Sequence, residues 1–255
     1  MLLRRMINHV KAQNWTAVAL DFVIVVVGVF LGIQVSNWND ARVEKQTAEA
    51  FAGRLVSEMQ AEAVLYADTV SYYASVQENA EAAFLAVNDV STATDEEFLI
   101  SAFRATQFFW YSRRRAAYDE LKSTGALNLI RDEQLRDTAV VYFNTDFIED
   151  ISDRDQNSPI KTEFGKIVPP DIHRRLRERC GDRPLDETDF ANRGATLDYQ
   201  CTLDLPAVEL ASAAAALKAN AAFAPALILR ISDVDATLNV LTENVRLFDF
   251  LSAYE

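Results

Sequence analysis

The side chains able to carry chemistry are few and scattered along the 255 residues, which include only two His and two Cys. The densest group is Phe108-Phe-Trp110-Tyr111-Ser-Arg113-Arg114-Arg115. Aromatic walls beside guanidinium groups suit a small anion or an acidic partner. The competing reading is aromatic filling at one end of a bundle, with the arginines solvated. Lys122-Ser-Thr-Gly125 echoes a nucleotide loop, but no Gly-x-x-x-x-Gly precedes it and no strand leads into it. Gly125 therefore reads as a helix C-cap. His9 and His173 fall in different parts of the chain and cannot share a site. No Ser-His-Asp, Cys-His or metal-ligand spacing is present. Acid pairs such as Glu96-Glu97 and Asp119-Glu120 read as helix-start charges or solvated faces. The expectation is a non-enzymatic protein with no catalytic residue, no cofactor and no metal. Cys180 and Cys201 read as a disulfide in an oxidising compartment, and otherwise as two unrelated thiols.

One further ionisable group stands out because of its surroundings. Asp21 opens a run, Phe22 to Val35, that carries no charge. From Trp15 to Trp38 there are 24 residues, enough to cross a hydrocarbon layer of about 30 Å, with a tryptophan at each interface. Inside such a helix an acid is a functional candidate, although Asp21 lies near the basic end, where it could sit at the interface. Gly28-Val-Phe-Leu-Gly32 is a GxxxG pattern that allows close helix approach, and Gln34 and Asn37 could hydrogen-bond across the same interface. The run exits through Gln34-Val-Ser-Asn-Trp-Asn39, which offers no Ala-x-Ala site for a signal peptidase. Arg4, Arg5 and Lys11 precede the run without any acid, while Arg42 and Lys45 beyond it are offset by Asp40 and Glu44. By the positive-inside rule, residues 1–14 form a cytoplasmic tail, 15–38 a single-pass inner-membrane anchor, and 39–255 a periplasmic domain.

That domain must be helical. Only 7 Gly and 6 Pro occur in the chain, too few for a many-stranded sandwich. From Ala48 through Phe51, Leu55, Met59, Ala63, Tyr66, Val70, Tyr73, Val76, Ala80 and Phe84 to Val87, apolar residues recur in steps of three and four. This predicts one helix continuous with the anchor, reaching roughly 70 Å, whose stripe needs bundle or coiled-coil partners. A second helix, capped by Thr94 or Asp95 with acids in its first turn, runs to about Tyr111. A third covers Arg114–Thr124, and a fourth runs from about Arg131 through Ile151. Residues 153–204, with four prolines and both cysteines, read as an irregular insertion carrying one short helix near Asp171–Arg179. Helix returns at Pro206–Ala222 and from Pro225 to about Ala253. The expected fold class is all-α: one transmembrane helix continuing into an up-and-down bundle of about four long helices. The net charge of −13 argues against nucleic-acid binding.

Two blocks carry a resemblance. Asp21-Phe-Val-Ile-Val-Val-Val-Gly28 with Gln34 and Asn37-Trp-Asn-Asp40 is the first. Tyr118-Asp-Glu-Leu-Lys-Ser-Thr-Gly125 with Leu127, Ile130, Asp132, Leu135-Arg136 and Tyr142 is the second. Together they resemble a bacterial family of uncharacterised single-pass membrane proteins. The resemblance implies the topology and a helical outer domain, and brings no catalytic residue. The leading functional expectation is a membrane-anchored interaction or scaffold module, working on the lipid bilayer with a second copy or another membrane protein. The alternative is an extracytoplasmic sensor of small anions at Trp110, Tyr111 and Arg113–Arg115. With no output element before the anchor, it would act through a partner.

Overall fold

The computed structural model describes residues 15–185 and 194–254. The cytoplasmic tail expected over residues 1–14 lies outside the described residues. Among the described residues the fold is all-α apart from one two-residue strand pair. It begins with α1, Trp15–Val87, a single helix of 73 residues. No proline interrupts it, and its glycines are Gly28, Gly32 and Gly53. Its most apolar window has a mean hydropathy of 2.3 and none of it is buried in the domain. The helix is therefore long and apolar enough to cross a membrane. Its end is set by Asp89, which takes a left-handed φ of 54°. Val90 N–H then reaches Leu85 O, and Asp89 N–H reaches Ala86 O. This is the hydrogen-bond pattern of a Schellman cap, with Asp in the place usually held by Gly.

The rest of the chain packs on the outer part of α1, starting at Ala48. Helix α2, Asp95–Ala105, begins with a capping box in which Thr94 and Glu97 exchange hydrogen bonds. Helix α3, Ala116–Thr124, ends at Gly125 with φ 71°, as its reading as a C-cap requires. A short 3-10 turn, Ala126–Leu129, leads to α4, Glu133–Phe143, capped by Asp132. Then come α5, Phe147–Gln156, α6, Pro159–Ile167, and α7, Pro170–Cys180; the last two each start on a proline, whose missing N–H costs nothing in a first turn. Strands β1, Arg183–Pro184, and β2, Ala195–Thr196, pair antiparallel. Helix α8, Ala207–Lys218, meets α9, Phe223–Val245, at a bend of 80°. A 3-10 segment, Arg246–Tyr254, ends the described chain.

Three features differ from the sequence reading. The second helix stops at Ala105 rather than near Tyr111, because the carbonyls of Ala105 and Gln107 are claimed by the Arg230 guanidinium. Residues 107–115 leave the helix, and burial alternates from Phe109 through Tyr111 to Arg113, the period of an extended chain. The expected fourth helix is cut at Asn144, whose side chain bonds Val140 O and the Tyr118 hydroxyl. Among its described residues the expected irregular insertion holds two helices, α6 and α7, not one. Among the described residues only α1 and α9 are long, so the bundle is two long helices dressed by short ones.

The core forms two apolar clusters. One, nearer the N-terminal segment, joins Leu55, Met59, Tyr66, Tyr118, Leu135, Tyr142, Leu241 and Phe248. The other joins Ala80, Phe98, Phe103, Phe164, Leu176, Leu217 and Phe223. On α9, Arg230 lies between the residues given to the two clusters, Leu227 and Val234. Its guanidinium meets the equally buried Asp155 at 2.8 Å.

Candidate functional site

The residues picked out for helix association stand on a bare helix. Asp21, Gly28, Gly32, Gln34 and Asn37 are exposed. A Cβ at Gly28 or Gly32 would meet nothing within 4 Å. Among the described residues nothing packs on α1 until Ala48, so Trp38 and the residues up to Thr47 form an uncovered stalk.

The aromatic and arginine cluster is divided by the extended backbone that carries it. Trp110 points outward, 66% exposed, whereas Tyr111 and Arg113 turn into the core. Arg113 is fully engaged: Nε and Nη2 donate to the two oxygens of Glu149 at 3.0 and 2.9 Å, and Nη1 donates to Tyr142 O at 2.8 Å. Asp146 adds a second carboxylate at 3.6 Å. Arg115 pairs with Asp119 along the surface of α3.

Beneath the cluster lies an arrangement built from α1. Glu58 and Glu62, four residues apart, project from one face. The Glu58 carboxylate accepts from Ala117 N–H at 2.8 Å and Tyr118 N–H at 3.1 Å. Glu62, with no exposed surface, accepts from Arg114 N–H at 2.7 Å and from the Tyr142 hydroxyl at 2.6 Å. Helix α3 has no side-chain cap of its own, so α1 supplies the anion for its positive end. Burial raises the Glu62 carboxyl above its ordinary range, against the lowering pull of those hydrogen bonds and of Arg113. Burial likewise raises the Tyr111 and Tyr142 hydroxyls. Chemically, this junction clamps three chain segments together and already contains the anion that a basic cluster would attract.

Cys180 and Cys201 form a disulfide, with their Cα atoms 5.5 Å apart. It closes the loop that holds β1 and β2. Two side chains dock this loop on the bundle. Arg104 donates to Cys180 O and Tyr199 O, and the Tyr72 hydroxyl donates to Asp182 at 2.6 Å. Burial raises the Asp182 carboxyl.

The sequence reading did not single out Glu58, Glu62, Arg104 or Arg230. Glu62 had a signal: it falls on the apolar stripe, three past Met59 and four before Tyr66. No family model, curated protein or solved structure matches this chain.

Proposed function

We propose that this protein is a single-pass inner-membrane protein with its N-terminus in the cytoplasm and its C-terminal domain in the periplasm. It acts without catalysis, as an interaction or scaffold module that associates with a second copy through α1. The observation that carries this reading is the unbroken α1, whose GxxxG face and stalk have no partner within the described chain. Without a hydrophobic force between helices in lipid, small residues that allow close approach are what drive their association. The basic residues Arg4, Arg5 and Lys11 support the orientation, and the disulfide fits an oxidising compartment. The resemblance to single-pass membrane proteins points the same way. The sensor reading at Arg113–Arg115 is weaker, because Glu149 and Asp119 already neutralise Arg113 and Arg115.

The test is cross-linking in intact membranes followed by mass spectrometry, comparing the natural protein with Gly28→Leu/Gly32→Leu. A self-cross-link is expected, reduced several-fold in the variant. Monomer in both would sink the self-association reading and leave α1 as a tether.

A further inference from the structure

Three arginines are buried among the described residues: Arg104, Arg113 and Arg230. Arg230 has Asp155, and Arg113 has Glu149. Arg104 has no such partner: among the described residues no carboxylate pairs with it. Its Nε donates to Cys180 O at 3.2 Å, and its Nη2 donates to Tyr199 O at 2.9 Å. The Tyr199 ring covers the guanidinium at 4.7 Å. Nη1 makes no hydrogen bond to the described residues. A guanidinium cannot shed its proton to escape burial. Its charge therefore stays without a counter-ion, in a chain whose net charge is −13.

Arg104 lines a groove between α1, α2 and the loop carrying residues 197–202. Two adjoining volumes, about 320 and 560 Å³, share Asn79, Ser101, Arg104, Tyr199 and Gln200. The Ser101 hydroxyl and the Gln200 amide carry no hydrogen bond to the described residues. Glu78, Glu97 and Asp198 also line it. An anion suits the bare face of Arg104, and these three carboxylates would repel a dianion while favouring a cation at the other end of the ligand. The chemistry that satisfies both is a monocarboxylate carrying its own ammonium group.

We propose that this groove binds a free amino acid, its carboxylate on Arg104 Nη1 and the Ser101 hydroxyl and its ammonium toward Glu78 and Asp198. The site is separate from α1 self-association and stands or falls without it.

The test uses the full chain in detergent or nanodiscs, with thermal unfolding and calorimetry against the proteinogenic amino acids singly, acetate and inorganic phosphate. At least one amino acid should bind saturably and raise the melting temperature, acetate should bind more weakly, and phosphate should not bind. Ser101→Trp fills the groove yet spares every contact of Arg104, and should weaken binding by at least about tenfold, the effect of losing one charge-assisted hydrogen bond. Glu78→Gln/Asp198→Asn, on the groove wall, should weaken amino-acid binding while leaving acetate unchanged. That double variant decides the matter if Ser101→Trp does not fold. No saturable amino-acid binding to the natural protein, phosphate binding as tightly as the amino acid, or undiminished binding in the variants would each overturn the proposal.

Discussion

Glu62 shows how one side chain can be costly and indispensable at once. Burial disfavours its charged form, yet two donors depend on it as their acceptor. Glu62→Leu should lower stability by about 1–3 kcal/mol for each donor left unpaired, whereas Glu62→Gln keeps an acceptor and should cost less. Urea midpoints would show the order, and equal losses would argue that the two hydrogen bonds contribute little. The pH dependence has a definite sign. A carboxyl raised on folding holds its proton longer in the folded state than in the unfolded chain. Its contribution is full below the ordinary carboxyl range and fades as pH rises through the raised value. The advantage of the natural protein over Glu62→Gln should therefore shrink as pH rises from the ordinary carboxyl range toward neutrality. An advantage that grows over that interval would mean Arg113 and the hydrogen bonds outweigh burial.

At the scale of elements, periodicity decided what could be read. The stripe from Ala48 to Val87 is legible because every third or fourth position is apolar, and those positions face the core. The caps at Thr94 and Gly125 are legible because they depend on chain neighbours. The extended segment after Ala105 is not, since Arg230, 125 residues further along, takes the carbonyl that a continued helix would use. The junction at Glu62 hides for the same reason, with partners 52 and 80 residues away. The arginine cluster could be located but not apportioned, because alternation along an extended segment sends Tyr111 and Arg113 inward and Trp110 out. The disulfide is the element-level feature most open to measurement. It joins residues 21 apart in sequence, and closing such a loop contributes about 3 kcal/mol in the chain-entropy view. Cys180→Ser/Cys201→Ser should lower the melting temperature by several degrees. A reductant should do the same to the natural protein and nothing further to the variant; an unchanged melting temperature in both would mean the docking by Arg104 and Tyr72 suffices.

At the scale of the molecule, two long helices, α1 and α9, carry the packing, and shorter segments tie them at the Glu62 junction and at the buried Arg230–Asp155 pair. Only the outer part of α1 takes part. Between Trp38 and Ala48 the same helix stands uncovered, lifting the domain about 15 Å above the apolar segment.

Because that stalk is helix and not loop, it behaves as a drive shaft. A rotation of the apolar segment about its own axis should turn the whole bundle with it, since α1 is helical throughout. Adding a single alanine after Val43 should swing the domain by about 100° and raise it by only about 1.5 Å, whereas four added alanines bring it back to within about 40° of its starting azimuth. If two copies associate through α1 as proposed, a photo-cross-linker at Val64, on the exposed side of α1, would report the phase between them. Capture should vanish with one inserted residue and return in part with four, while cross-links from Gly28 persist throughout. Capture indifferent to the insertion would mean that the stalk swivels.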